Sequence, residues 1–190
     1  MKVLALSGSP RKNGNSETLL AAFLKGVEAG GGRIELIRLC DLDIHPCIGC
    51  GGCDKTGNCV VHDDMQLMYP KIFEASRLVL ASPIYFYGIT AQAKAFVDRC
   101  QALWARKRLV TGKDNHDSRP DRKGFLLSVS ATHGERVFDG AILTARYAFD
   151  AMDMEYGGEL ALKGFDCRGE VAQAPSALRL AEQTGLGFMG

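Results

Sequence analysis

The sequence predicts an α/β fold: a doubly wound, five-stranded parallel sheet of strand order 2-1-3-4-5, with helices on both faces, in a single domain over residues 1–190. Three observations carry that expectation. Five short apolar runs alternate with five stretches whose apolar residues recur at helical spacing. That alternation implies a parallel sheet covered on both faces, joined by right-handed crossovers that favour the doubly wound order. The 190 residues, 46% of them apolar, are enough to bury one hydrophobic core.

Residues 2–7, KVLALS, form the first strand, ended by GSPRKNGN. Residues 16–29 follow as a helix, with Asn15 or Ser16 as candidate N-cap. RIELIRL (33–39) is the second strand and leads into a cysteine-rich loop. Residues 63–75 read as a helix begun by Asp63 or Asp64, with Pro70 as a flaw inside it. SRLVLASP (76–83) is the third strand, and 90–108 one strong helix. KGFLLSVSA (123–131) is the fourth strand, 136–152 a helix, and EYGGELALK (155–163) a fifth strand weakened by its glycines. Residues 174–188 close the chain as a helix, with Pro175 allowed in its first turn. The polar, turn-rich stretch TGKDNHDSRPDR (111–122) reads as a linker.

Composition excludes several function classes. A net charge of +1 with 24% charged residues marks neither a nucleic-acid binder nor a membrane binder. The longest apolar run, RLVLASPIYFYGI, is too short and interrupted to span a bilayer. The opening MKVLALSGSP has the apolar length of a strand and not of a signal peptide, so a cytoplasmic location is expected. There, seven cysteines argue for metal or redox chemistry and against a disulfide framework.

In such a sheet a ligand sits beyond the carboxyl ends of the strands, where strand order reverses. The loop after the first strand, SGSPRKNGNSET, has the small residues that let backbone N–H groups approach an anion at a helix start. Ser9, Asn15 and Ser16 add side-chain donors and Arg11 adds charge for a phosphate. The pattern matches neither a dinucleotide fingerprint nor a nucleoside triphosphate loop. Across the same crevice, residues 82–88 read SPIYFYG; Tyr85, Phe86 and Tyr87 suit a flat apolar ring, or else plug a core or a subunit contact. His133, in ATHG after the fourth strand, is placed to donate to a ligand carbonyl, to meet substrate, or to serve structure alone.

SGSPRKNGNSETLL, SPIYFYGITAQAKAFVDR and ATHG together resemble the NAD(P)H-dependent FMN reductase branch of flavodoxin-like proteins. With PCIGCGGCDKTGNCVVHDDM included, the chain is most similar to the iron–sulfur flavoproteins, which carry FMN and a [4Fe-4S] cluster. The resemblance implies that Ser9, Arg11, Asn15 and Ser16 hold the FMN phosphate. It also implies that Pro83, Ile84, Tyr85, Phe86, Tyr87 and Gly88, with Thr132, His133 and Gly134, hold the isoalloxazine ring. A homodimer or a tetramer of paired dimers is implied as well, as is NAD(P)H or ferredoxin as electron donor and a quinone or oxygen species as acceptor.

Cys47, Cys50, Cys53 and Cys59 are spaced C-x2-C-x2-C-x5-C. A cubane needs four thiolates converging on one point, which a short glycine-rich run can supply. Gly49, Gly51 and Gly52 permit tight wrapping, and Gly57 can turn the chain back toward Cys59. The run differs from the bacterial ferredoxin pattern in its last spacing and lacks the trailing proline. Three other uses stay open: a four-cysteine zinc site, although the ligands are not in two separated pairs; a redox C-x-x-C pair; and a loop that binds nothing in an ordinary flavin reductase. Cys40, Cys100 and Cys167 read as structural or incidental, His45 and His62 as bystanders, and Asp63 and Asp64 as helix caps, with a place near the flavin or the cluster as their alternative. No residue is assigned as catalytic acid, base or nucleophile. The stretch 105–123 carries seven Lys or Arg against three Asp; it reads as a solvated loop, or as a surface for an acidic ferredoxin or an NADPH phosphate.

Overall fold

A computed structural model describes residues 1–112 and 119–190. Five strands, β1 (Lys2–Ser7), β2 (Arg33–Arg38), β3 (Arg77–Pro83), β4 (Arg119–Ser130) and β5 (Met154–Lys163), form one sheet in the order β2-β1-β3-β4-β5. Every pairing is parallel, as expected from the sequence. The helices are α1 (Asn15–Ala29), α2 (Met65–Glu74), α3 (Ala91–Arg99), α4 (Gln101–Thr111), α5 (Asp139–Ala151) and α6 (Pro175–Gly187).

Successive residues of each inner strand serve opposite faces, and both faces are covered, so the strands are apolar throughout. Leu4, Leu6, Leu78, Leu80 and Leu126 pack with Met65 and Met68 of α2, Phe96 of α3 and Phe149 of α5. Val3, Ala5, Val79, Phe125 and Leu127 pack on the other side with Phe23 and Val27 of α1, Ala181 of α6 and Phe188 beyond it. Helices α1 and α6 meet backbone to backbone: a Cβ on Gly26 would lie 1.9 Å from the Glu182 carbonyl oxygen, and one on Gly185 2.0 Å from that of Phe23.

Two buried arginines finish the helix ends far from the crevice. Arg122 donates to the carbonyls of Ile72 and Ala75 at the end of α2 and of Met152 and Asp153 after α5. Arg77 donates to Phe188 O and Asp121 O and lies over the Phe188 ring. Both satisfy carbonyls that helix termini and loops leave without partners.

The structure corrects several boundaries. The helix expected over 90–108 is two helices, because the Cys100 N–H bonds Val97 O and tightens the turn between α3 and α4. Gly14 is the N-cap of α1, and Asn15 and Ser16 lie inside its first turn. The linker expected over 111–122 gives way to strand at Arg119; residues 113–118 of that stretch lie outside the described residues. The glycines of β5 serve a bulge: the register to β4 shifts between Gly124 and Leu126, and Gly158 has φ +115°. Among the described residues no helix is long and apolar enough to cross a membrane.

Candidate functional site

Two cavities open on the chemistry the sequence singled out. The first lies at the carboxyl ends of β1, β3 and β4, and its lining includes Ser9, Arg11, Gly14, Asn15, Ser16, Pro83, Ile84 and Tyr85. The loop after β1 is held in place from three sides. Thr90 Oγ1 donates to Gly8 O at 2.6 Å and accepts from Ala93 N at the start of α3. Gly8 N donates to Ala81 O. Glu17 of α1 accepts from Asn13 N, Ser7 Oγ and Arg38 Nε, so its carboxylate is paired. The Arg11 N–H bonds Ser9 Oγ, which fixes the turn that presents Arg11 to the cavity at the start of α1.

Asn15 has a different task from the donor expected of it. Its Nδ2 donates to Cys167 O at 2.8 Å and to Phe165 O, and its Oδ1 accepts from Gly169 N and Val171 N. Both ends of the amide are filled, so the side chain clasps the loop after β5 to α1 and forms wall. That loop adds Phe165, Asp166 and Arg168 to the cavity. Sequence reasoning passed over them, although GFDCRGE follows the fifth strand at the same sheet edge as the other ligand loops. Arg168 also donates to Lys12 O, so two loops that carry cations close on each other.

The aromatic loop is a tight hairpin. Tyr85 and Gly88 exchange N–H···O bonds of 2.9 and 3.0 Å, and between them Phe86 (φ 49°) and Tyr87 (φ 64°) both sit in the left-handed region. Two-residue turns of that kind favour Asn-Gly, so two aromatics there hold strain. Phe86 is fully exposed, whereas the Tyr87 hydroxyl lies against Gly134. The cavity lining itself takes Pro83, Ile84 and Tyr85 but not Phe86, Tyr87, Gly88, Thr132, His133 or Gly134. The His133 ring leans on Gly164, where φ is +83°.

The second cavity, of about 180 Å³, is lined by Cys47, Cys50, Cys53 and Cys59, with Val60, Val61, Arg99, Gln101 and Ala102 among its other walls. Gly49 and Gly51 have φ of 64° and 68°, the wrapping expected of them, and Gly57 turns the chain at φ 70°, whereas Gly52 lies outside the left-handed region and packs against Val60. Gly57 also rests on Arg106 of α4 so closely that a Cβ would fall 2.7 Å from that side chain. The loop is pinched at its neck. Asp43 N bonds Asp64 Oδ2, His45 N bonds Asp63 Oδ2, and Gln66 Nε2 bonds Cys59 O and Val61 O.

Beneath the neck lies an ion pair that the sequence reading did not anticipate. Asp63 and Arg99 have side chains 1% and 0% exposed. Asp63 does bond Met65 N, but its main partner is Arg99, and a cap alone understates it. Burial pushes its carboxyl up, and Arg99 with the His45 and Met65 N–H groups outweighs that and holds it below the usual carboxylate range. A legible signal existed: Arg99 falls in the buried stripe of α3, three residues after Phe96, where an unpaired charge is not tolerated.

The cysteine donors fit an iron–sulfur cluster in kind and number. Four thiols share one cavity, all seven cysteines are unbridged, and the buried Nε of Arg99 in the same lining has no hydrogen-bond partner among the described residues. Burial, with Asp54 beside it, pushes the Cys53 thiol up. Among the described residues no group of three or more His, Cys, Asp or Glu is disposed to hold a single metal ion. A cubane asks for a wider arrangement, because each thiolate binds a different iron.

Residues 1–156 match the family model described as NADPH-dependent FMN reductase. The chain belongs to that family. Within the FMN reductase family it is similar to an iron-sulfur flavoprotein of Methanocaldococcus jannaschii, 41% identical over 103 residues that make up 54% of this chain and 53% of the relative. A second iron-sulfur flavoprotein, from Archaeoglobus fulgidus, is 41% identical over 99 residues, 52% of this chain and 45% of its own. The chain thus spans about half the length of the curated relatives it matches. In fold it resembles an NAD(P)H:quinone oxidoreductase from Methanothermobacter marburgensis, with a TM-score of 0.71 at 16% identity, covering 98% of this chain and 95% of that one.

In the described part of the basic stretch 105–123, three cationic side chains of α4 are engaged within the fold. Arg106 lies over Phe73, Arg108 over Trp104, and Lys107 pairs with Asp150. Those positions therefore offer less free charge than the sequence suggested, while residues 113–118 lie outside the described residues.

Proposed function

We propose that this chain is an FMN-containing oxidoreductase that passes electrons between the flavin and a [4Fe-4S] cluster held by Cys47, Cys50, Cys53 and Cys59. One observation carries the reading: four cysteines line one cavity, a second opens at the loop after β1, and α3 links the two through its N-cap Thr90 and its last residue Arg99. At one end Thr90 bonds Gly8, and at the other Arg99 enters the cysteine cavity. Nine residues of helix span about 13 Å. Flavin supplies exchange of two electrons as hydride or of one at a time, and a cluster exchanges one, so the pair converts between two-electron and one-electron partners.

The residues have separate tasks. Arg11, Ser9 and the first turn of α1 receive the phosphate, with Arg168 closing from the loop after β5. Ile84 and Tyr85 give the ring an apolar wall, and the strained Phe86–Tyr87 turn presents its aromatics at the rim. The pinched neck keeps the cysteine loop in one register over α4. NAD(P)H as donor agrees with the family, and the names of the relatives support flavin and cluster together.

Anaerobic purification tests the reading. The fresh protein should show flavin and iron–sulfur absorption together, release FMN on denaturation, and contain about four irons and four sulfides per chain. Fewer than about three irons per chain after anaerobic reconstitution sinks the cluster. Failure to take up FMN sinks the flavin, and with it the oxidoreductase.

A further inference from the structure

Arg99 ends α3 with its side chain wholly out of solvent, in the lining of the cavity that holds the four cysteines. Two of its three nitrogens are spoken for. Nη1 donates to His45 O at 2.9 Å and to Asp63, and Nη2 donates to Asp63 Oδ1 at 3.0 Å and to Val61 O at 3.3 Å. His45 and Val61 stand on either side of the cysteine run, so the guanidinium fastens both ends of the loop. Its Nε is buried and has no hydrogen-bond partner among the described residues. A buried donor left unsatisfied is strongly unfavourable, more so on a charged group. Asp63 cannot supply the missing acceptor, because its oxygens already take Arg99 Nη1 and Nη2 and the His45 and Met65 N–H groups.

We propose that Arg99 is a positioning residue for the cluster, with its Nε–H donating to a cluster sulfide or a ligating thiolate while its Nη atoms fasten the loop. The proposal rests on the reading that the loop holds a [4Fe-4S] cluster. Sulfur bound to iron carries negative charge, and that charge grows when the cluster takes up an electron. A fixed N–H donor therefore stabilises the reduced state more than the oxidised one and raises the potential. The Arg99 charge is balanced by Asp63 at short range, so the directed hydrogen bond outweighs net charge as the source of the effect.

The test uses the anaerobic holoprotein. Wild-type protein carrying 15N only in arginine is reduced with dithionite, and hyperfine spectroscopy of the paramagnetic cluster looks for a nitrogen coupling. Arg99→Lys keeps the charge and removes the Nε donor, and Arg108→Lys on α4 is the control. The expected results are a coupling from arginine nitrogen in the wild type and its loss in R99K. R99K should retain its iron and shift its cluster midpoint downward by at least about tenfold in the equilibrium between the two states, or about 59 mV for one electron. R108K should match the wild type. An unchanged midpoint in iron-replete R99K, or no arginine coupling in the wild type, overturns the proposal. If R99K fails to hold iron, the wild-type coupling decides by itself. A wild type that never binds iron instead defeats the cluster reading on which the proposal stands.

Discussion

Phe86→Asn tests whether the aromatic hairpin is strained for the sake of a ligand. Phe86 has φ 49° and a side chain in full contact with solvent, so its ring stabilises nothing in the free protein. A left-handed backbone is unfavourable for an L-residue by about 1–2 kcal/mol, and asparagine recovers much of that through local hydrogen bonding. Relief of about 1 kcal/mol in a chain of this length raises the melting temperature by about 2–4 °C. Tyr87 is left alone because it packs on Gly134. If Phe86 meets the flavin ring, its loss also removes an aromatic contact worth about 0.5–1.5 kcal/mol, a roughly twofold to tenfold weaker Kd. Thermal and urea melts of flavin-free protein give the first quantity, and quenching of flavin fluorescence on titration gives the second. A variant that is no more stable than the parent would show that the turn is unstrained. Unchanged FMN affinity would show that Phe86 does not touch the ring.

Other substitutions probe the remaining supports. Asp63→Asn leaves the Arg99 charge buried without its partner and should lower stability by about 3–5 kcal/mol in urea unfolding. The Asp63 carboxyl is held below its unfolded value of about 3.9, so its contribution is fully present above that pH and lost as pH falls through the folded value. Wild-type protein should therefore lose stability below about pH 4 more steeply than D63N, and parallel acid transitions would contradict this. Arg11→Ala should weaken FMN binding by about 10- to 100-fold while leaving riboflavin binding nearly unchanged, since only FMN carries the phosphate. Equal losses for both would remove Arg11 from the phosphate site. Gly26→Ala drives a methyl into the Glu182 carbonyl and forces α1 and α6 apart, so a loss of about 3 kcal/mol or more is expected by calorimetry.

Local chemistry made much of the molecule readable. The alternation of strands and helices, the strand order and the sheet-edge loops all follow from periodicity, turn residues and the handedness of crossovers. The left-handed glycines of the cysteine loop are similarly local, since spacing and the tolerance of glycine for positive φ act within a few residues. The break at Cys100 was hidden because the apolar spacing runs through it without a proline or glycine. Asp63 looked like a cap because a cap needs only its nearest neighbours, whereas its partner Arg99 lies 36 residues away.

From its sequence alone this protein could be assigned a doubly wound sheet, and it could be expected to carry a loop suited to an anion after the first strand and a cysteine run suited to four thiolates. Those are consequences of residue type at short range. The saturated amide of Asn15, the contribution of Arg168 from the loop after β5, and the buried guanidinium under the cysteines were decided by the tertiary structure. Each depends on which distant groups exclude water together, and burial of a polar atom is a property of the packed chain that no short segment possesses.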